Sequence, residues 1–151
     1  MNNCNPFGDN CAEIADKRPL IVLRDKKGKS EYRAANQTRK NVICLRFDGC
    51  VLDDNEVKKC DYLLLDCDDK IAHFIELKGG DMLHAIKQLV NSVTLTVHLL
   101  KEKQFAAVHA KLALSKTPKV VPAKEWLDLR RLMQKHNGDA YRQNTPFMDV
   151  I

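Results

Sequence analysis

Apolar and polar positions come in short blocks through the first half of the chain and then switch to a helical period. Leu20-Ile21-Val22-Leu23 predicts a strand, and Lys26-Lys27-Gly28-Lys29 the turn of a hairpin that returns over residues 31–35. Residues 42–47 predict the next strand, closed by Asp48-Gly49, a strong turn signal. Two further apolar runs flank Asp68-Asp69 and predict a second hairpin. After Gly79-Gly80 the period changes. Leu83, Ile86, Leu89, Val90, Val93 and Val97 recur at helical spacing, which predicts a helix from an Asp81 N-cap to about Lys101. Residues 105–113 predict a strand beside the one holding Glu76, and residues 115–122 a proline-containing loop. Residues 123–136 predict a second amphipathic helix with Trp126, Leu129 and Met133 on its apolar side, ended by Asn137-Gly138. The apolar tail 147–151 is suited to docking on the body or to joining a homodimer. Residues 1–18 offer only a short helix, or a loop, around Glu13 and Ile14. The sum is a single α/β domain over residues 1–151, a central mixed sheet flanked by α-helices, with no repeats.

The second hairpin carries chemistry at its open end. With Asp68-Asp69 as a two-residue loop, Cys67 faces Lys70, and counting outward sets Asp61 opposite Glu76. Directly opposed residues share a face with Cβ atoms roughly 5 Å apart. The period of two then puts Lys78 beside Glu76 on that face. Two carboxylates and an ammonium converge where packing does not ask for them. Mg²⁺ takes oxygen ligands, usually one or two carboxylates plus waters. Asp61, Glu76 and the backbone carbonyl of Leu77 form a candidate set for Mg²⁺ or Mn²⁺, with Lys78 placed to position or deprotonate an attacking water.

Asp61, fourteen intervening residues, then Glu76-Leu77-Lys78 resembles the signature of the PD-(D/E)XK phosphodiesterases, the restriction-endonuclease-like superfamily. The resemblance is sharpest over residues 42–91. It implies a sheet carrying the Asp and the Glu-x-Lys on adjacent strands, flanking helices, and Mg²⁺-dependent hydrolysis of nucleic acid, DNA above all. Cys60 stands where the name-giving proline would be, and Ser92 where a Gln-x-x-x-Tyr variant would carry tyrosine. Gln88 matches a polar position that supports the lysine, and it shares one helix face with His84 and Asn91. The resemblance also implies an acid from an N-terminal helix, for which Glu13 is the candidate metal ligand. Asp48, at the end of the preceding strand, is within reach of the cluster, although a turn role explains it as well.

Composition narrows the class. The chain has 151 residues, 44% of them hydrophobic and 30% charged, enough for one domain with a core and a polar surface. Its longest apolar run, near residues 93–100, is too short to span a bilayer, and no signal-peptide pattern opens the chain, so a cytoplasmic location is expected. Six cysteines without a Cys-x-x-Cys pair read as reduced core thiols rather than a zinc site. A net charge of +5 is moderate, and among the basic residues Lys58 and Lys59 flank the candidate site and are the expected phosphate contacts. With only 6% aromatic residues and no base-reading motif, contact through phosphates is expected. The expected activity is a standalone nuclease, from a defence or mobile-element setting or resembling the Holliday-junction resolvases. A catalytically silent nuclease-fold accessory protein is the alternative, although every core motif position is filled.

Overall fold

The computed structural model describes residues 3–53 and 57–151. After a 3-10 turn (Asp9–Cys11) come β1 (Ala12–Asp16), β2 (Leu20–Arg24), β3 (Glu31–Ala35), β4 (Val42–Arg46), β5 (Tyr62–Asp66) and β6 (Ile71–Lys78). The chain continues through α1 (Met82–Glu102), β7 (Ala107–Leu114), α2 (Ala123–Gln134), β8 (Ala140–Asn144) and β9 (Phe147–Val150). The near-continuous apolar runs of β4, β5 and β6 suit the middle of a sheet covered on both faces. They occupy it, in a six-stranded sheet of order β1-β4-β5-β6-β7-β8. β4, β5 and β6 are antiparallel, whereas β6, β7 and β8 run parallel. Parallel neighbours need a long crossover, which α1 supplies between β6 and β7.

Both helices cover one face, where Leu63, Leu65, Phe74, Leu89, Val93 and Leu129 join one core layer. The other face is covered by a second sheet, β2-β3-β9, through Ile21, Tyr32, Leu64, Ile75 and Phe147. The mixed α/β class is as expected, and α1 begins as expected: Asp81 Oδ1 accepts the His84 N–H at 3.1 Å. Among the described residues, no helix is long and apolar enough to cross a membrane.

Three local expectations change. The segment around Glu13 and Ile14 is the edge strand β1, not a helix or loop, because its residues pair with β4. The β5–β6 register is the expected one, with Tyr62 opposite Ile75 and Asp66 opposite Ile71. Its loop, however, is four residues, 67–70, not two. Asp66 Oδ1 accepts the N–H groups of Asp68 and Asp69, both at 3.0 Å, while the Cys67 N–H leaves the hairpin for Asn41 O at 2.9 Å. The tail does dock, as β9 parallel to β3.

The cysteines are the third correction. Cys4–Cys67 and Cys11–Cys50 are disulfides, leaving Cys44 and Cys60 as buried thiols. The segment before β1 lies against the β4–β5 region, which brings thiols distant in sequence together. The two loops nest, with sequence separations of 63 and 39. A Cys11→Ser/Cys50→Ser variant should therefore lose about 2–3 kcal/mol of unfolding free energy in urea, the lower part of the usual range because the outer bond still restrains the chain. Identical midpoints for variant and oxidised wild type would show that this bond contributes nothing.

Candidate active site

The β5–β6 register brings the two acids together. Asp61 stands one residue before β5, directly outward of Tyr62, and so meets Glu76 on the face that packs toward α1. Leu63, Leu65, Ala72 and Phe74 share that face deeper in the core. Asp61 Oδ2 accepts the Leu77 N–H at 2.8 Å, so Leu77 meets the site through its amide. The Asp61 and Glu76 carboxyl groups are close enough for each to shift the other's protonation.

Glu76 is 1% exposed, and its Oε1 has no hydrogen-bond partner. Burial, then the neighbouring Asp61 charge, holds its carboxyl well above the ordinary range. Burial also raises Asp61, less so because the Leu77 amide and the Glu76 carboxyl favour its ionised form. Of the two, Glu76 is thus the carboxyl that keeps its proton to higher pH. A buried, unbonded carboxyl oxygen is a cost in a finished core and an asset in a site that receives a cation.

Lys78 completes the group. Its Nζ is 3.9 Å from Glu76 Oε2 and donates to Gln88 Oε1 at 3.1 Å. Gln88 Nε2 in turn donates to the Lys59 carbonyl at 3.0 Å. The polar stripe of α1 is therefore a fastening, not a solvated face. Asn91 donates to the Lys58 carbonyl at 3.1 Å, and Ser92 Oγ accepts the Cys60 N–H at 2.8 Å. These bonds hold residues 58–60, and with them Asp61, against the helix that holds Lys78.

The expected flanking residues divide. Lys58 is exposed, its Nζ 3.1 Å from His84 Nδ1. Burial, then the Lys78 and Lys58 charges, lowers the His84 imidazole, a sign of positive potential beside the acids. Lys59, by contrast, is only 2% exposed and donates to Leu52 O at 3.0 Å, which corrects the expectation that it meets phosphate from the surface. Glu13 lies exposed on β1, and its electrostatic neighbours are Cys44 and Tyr62 rather than the acid pair. The expected N-terminal acid is thus not brought to the site, because the segment is an edge strand.

Besides Glu76, the acids that act on Asp61 are Asp25 and Asp48. Both line, with Asp61, a cavity of about 320 Å³ that also takes in Arg24, Lys26, Lys27 and Arg46. Asp48 was within reach on sequence grounds, but Asp25 and the basic β2–β3 turn were not. The Lys26-Lys27-Gly28-Lys29 run was the available signal, and only the packing of the two sheets aims it at Asp61.

The side chains suit a hard divalent cation. Asp61 and Glu76 supply oxygen donors with one oxygen unspent, and ions of this kind accept two carboxylates and fill the rest of the shell with water. No group of three or more His, Cys, Asp or Glu is arranged for a metal among the described residues, so water or substrate oxygens would complete such a shell. In comparison with known proteins, no family model, no curated protein and no solved structure matches this chain.

Proposed function

We propose that the chain is a divalent-metal-dependent phosphodiesterase acting on nucleic acid, DNA above all, with a PD-(D/E)XK-type site of Asp61, Glu76 and Lys78 supported by Gln88. One observation carries this reading: Glu76, buried with an unspent oxygen and set opposite Asp61, lies 3.9 Å from a lysine that a glutamine clamps in place. Asp61 and Glu76 would hold Mg²⁺ or Mn²⁺. Such an ion, when bound, places positive charge on the scissile phosphate and makes nearby water more acidic.

The protein's own groups do the rest. Gln88 takes one of the three Lys78 N–H bonds, which fixes where the other two point. Those donors would be free to stabilise charge building on the phosphoryl oxygens or to hold the attacking water. Gln88 and Ser92, by tying residues 59 and 60 to α1, keep Asp61 in register with Glu76. Lys58 and the basic β2–β3 turn flank the acids and suit a polyanionic backbone.

The direct test is a panel of plasmid, single-stranded DNA, branched DNA and RNA incubated with Mg²⁺, Mn²⁺ or chelator. Metal-dependent cleavage of at least one substrate, lost in Glu76→Gln, supports the reading. Binding without cleavage under every condition would leave the silent accessory protein as the better account. Substrate contact is tested separately. In a Lys78→Ala background, Lys58→Ala should shallow the salt dependence of duplex binding by about one unit of log–log slope. An unchanged slope would remove Lys58 from the phosphate contacts. The two disulfides weigh against the cytoplasmic setting expected from the sequence, since such bonds persist mainly in oxidising compartments. Rapid thiol trapping in fresh lysate, read by mass spectrometry, should find these cysteines reduced if that setting is right.

A further inference from the structure

A second polar cluster lies on the opposite face of the six-stranded sheet, where β2-β3-β9 covers it. His73 on β6 and His109 on β7 are register neighbours with rings stacked at 5.5 Å. Two residues on, Lys111 pairs with Asp149 of β9 and lies over the Tyr141 ring at 5.5 Å. These side chains, with Lys40 and Asp66, line a cavity of about 420 Å³ between the sheets, a size typical of small-molecule sites. Elsewhere on this face the positions are Leu64, Ile75, Leu77 and Ala113. Burying polar groups among them is unfavourable unless they are bonded.

The bonding capacity here is lopsided. The acids are committed. Asp66 Oδ1 accepts two backbone N–H groups and its Oδ2 faces Lys40 at 3.4 Å. Asp149 Oδ2 takes Lys111 and the Tyr32 hydroxyl, and its Oδ1 the Val150 N–H at 2.9 Å. The donors are not. Lys111 has one acceptor for three N–H bonds. His109 Nδ1 accepts the Asp139 N–H at 3.1 Å, so the proton of the neutral ring sits on Nε2. His73 is 4% exposed and neither of its ring nitrogens has a partner. Burial, then Lys111, His109 and Lys40, keeps that ring neutral, and no carboxylate opposes them. A cavity with spent acceptors and unspent donors fits a ligand that brings oxygen acceptors.

We propose that this cavity binds a small oxyanion-bearing molecule, a carboxylate or a phosphate monoester, through Lys111, Lys40 and the ring N–H groups of His73 and His109. The site is separate from Asp61 and Glu76, since the residues of β6 that form the two point to opposite faces of the sheet.

The test is a titration of ¹⁵N-labelled protein followed through its imidazole resonances. Sodium phosphate and sodium acetate serve as probes, and sodium chloride at matched ionic strength is the control. Saturable shifts of the His73 and His109 signals with phosphate, acetate or both, but not with chloride, are expected, and the probe that saturates first identifies the oxyanion. Lys111→Met should weaken that binding at least tenfold, and Lys40→Ala, at the cavity's rim, provides the same readout if the buried substitution does not fold. Lys78→Ala should leave it unchanged, which separates this site from the proposed nuclease centre. Shifts that track chloride, or midpoints equal in wild type and Lys40→Ala, would overturn the proposal.

Discussion

Replacing Lys78 with alanine is expected to lower cleavage by about 10³-fold while the protein stays folded, the usual scale for losing a proton-transfer or charge-stabilising group. The side chain is 26% exposed at the end of β6, so no core cavity opens behind it. The bond lost on folding is the one to Gln88 Oε1, and water can reach that oxygen once the lysine is gone. A drop in stability of no more than about 1 kcal/mol follows. Rate and fold thus respond differently, which separates a working group from a structural one. Lys78→Arg is the sharper probe: it keeps the charge, but its planar fork cannot reproduce the ammonium held by Gln88, so most of the loss should persist. Single-turnover cleavage with Mg²⁺, on protein freed of contaminating nuclease by a catalytically dead control, measures both. Wild-type rates in Lys78→Ala would remove the lysine from the mechanism and leave the acids alone to explain any activity.

Much of this geometry was legible in the chain, for a definite reason. Pairing across an antiparallel hairpin keeps a constant sum, so once the acidic turn is recognised Asp61 must meet Glu76. The error in the loop, four residues instead of two, was harmless because a symmetric change leaves that sum intact. Gln88 was reachable as well, since a helix that leaves from the strand holding Lys78 returns its second turn over that strand's end. What stayed hidden depends on contacts far apart in sequence. The strands β1, β8 and β9 are short or polar, and only pairing with distant partners makes them strands. Glu13 was misplaced for that reason, and Asp25 was overlooked because it reaches the site through the packing of one sheet on another. The disulfides escaped too: connectivity is not written in spacing, and the segment carrying Cys4 and Cys11 gave no sign of where it lies.

Glu76→Gln should make the metal-free protein more stable, and the gain should grow as pH rises. The sign follows from linkage. In the unfolded chain Glu76 releases its proton near pH 4.5, whereas in the folded protein burial and Asp61 hold that proton to well above this value. Between the two values the native state binds more protons than the unfolded state, so unfolding free energy falls with rising pH. Below pH 4.5 both states are protonated and the penalty vanishes. Glutamine has nearly the same shape and carries no charge, so it abolishes the slope. At pH 8 in chelator the variant should exceed wild type by on the order of 3 kcal/mol, the scale of an uncompensated buried charge, and near pH 4 the two should converge. Added Mg²⁺ or Mn²⁺ should raise the midpoint of wild type and not of the variant, because a cation that binds the folded state releases that proton and stabilises it by mass action. Urea titrations at several pH values, with and without metal, read all three effects. A pH-independent difference would mean that Glu76 is ordinarily solvated, and equal metal stabilisation of both proteins would place any cation elsewhere.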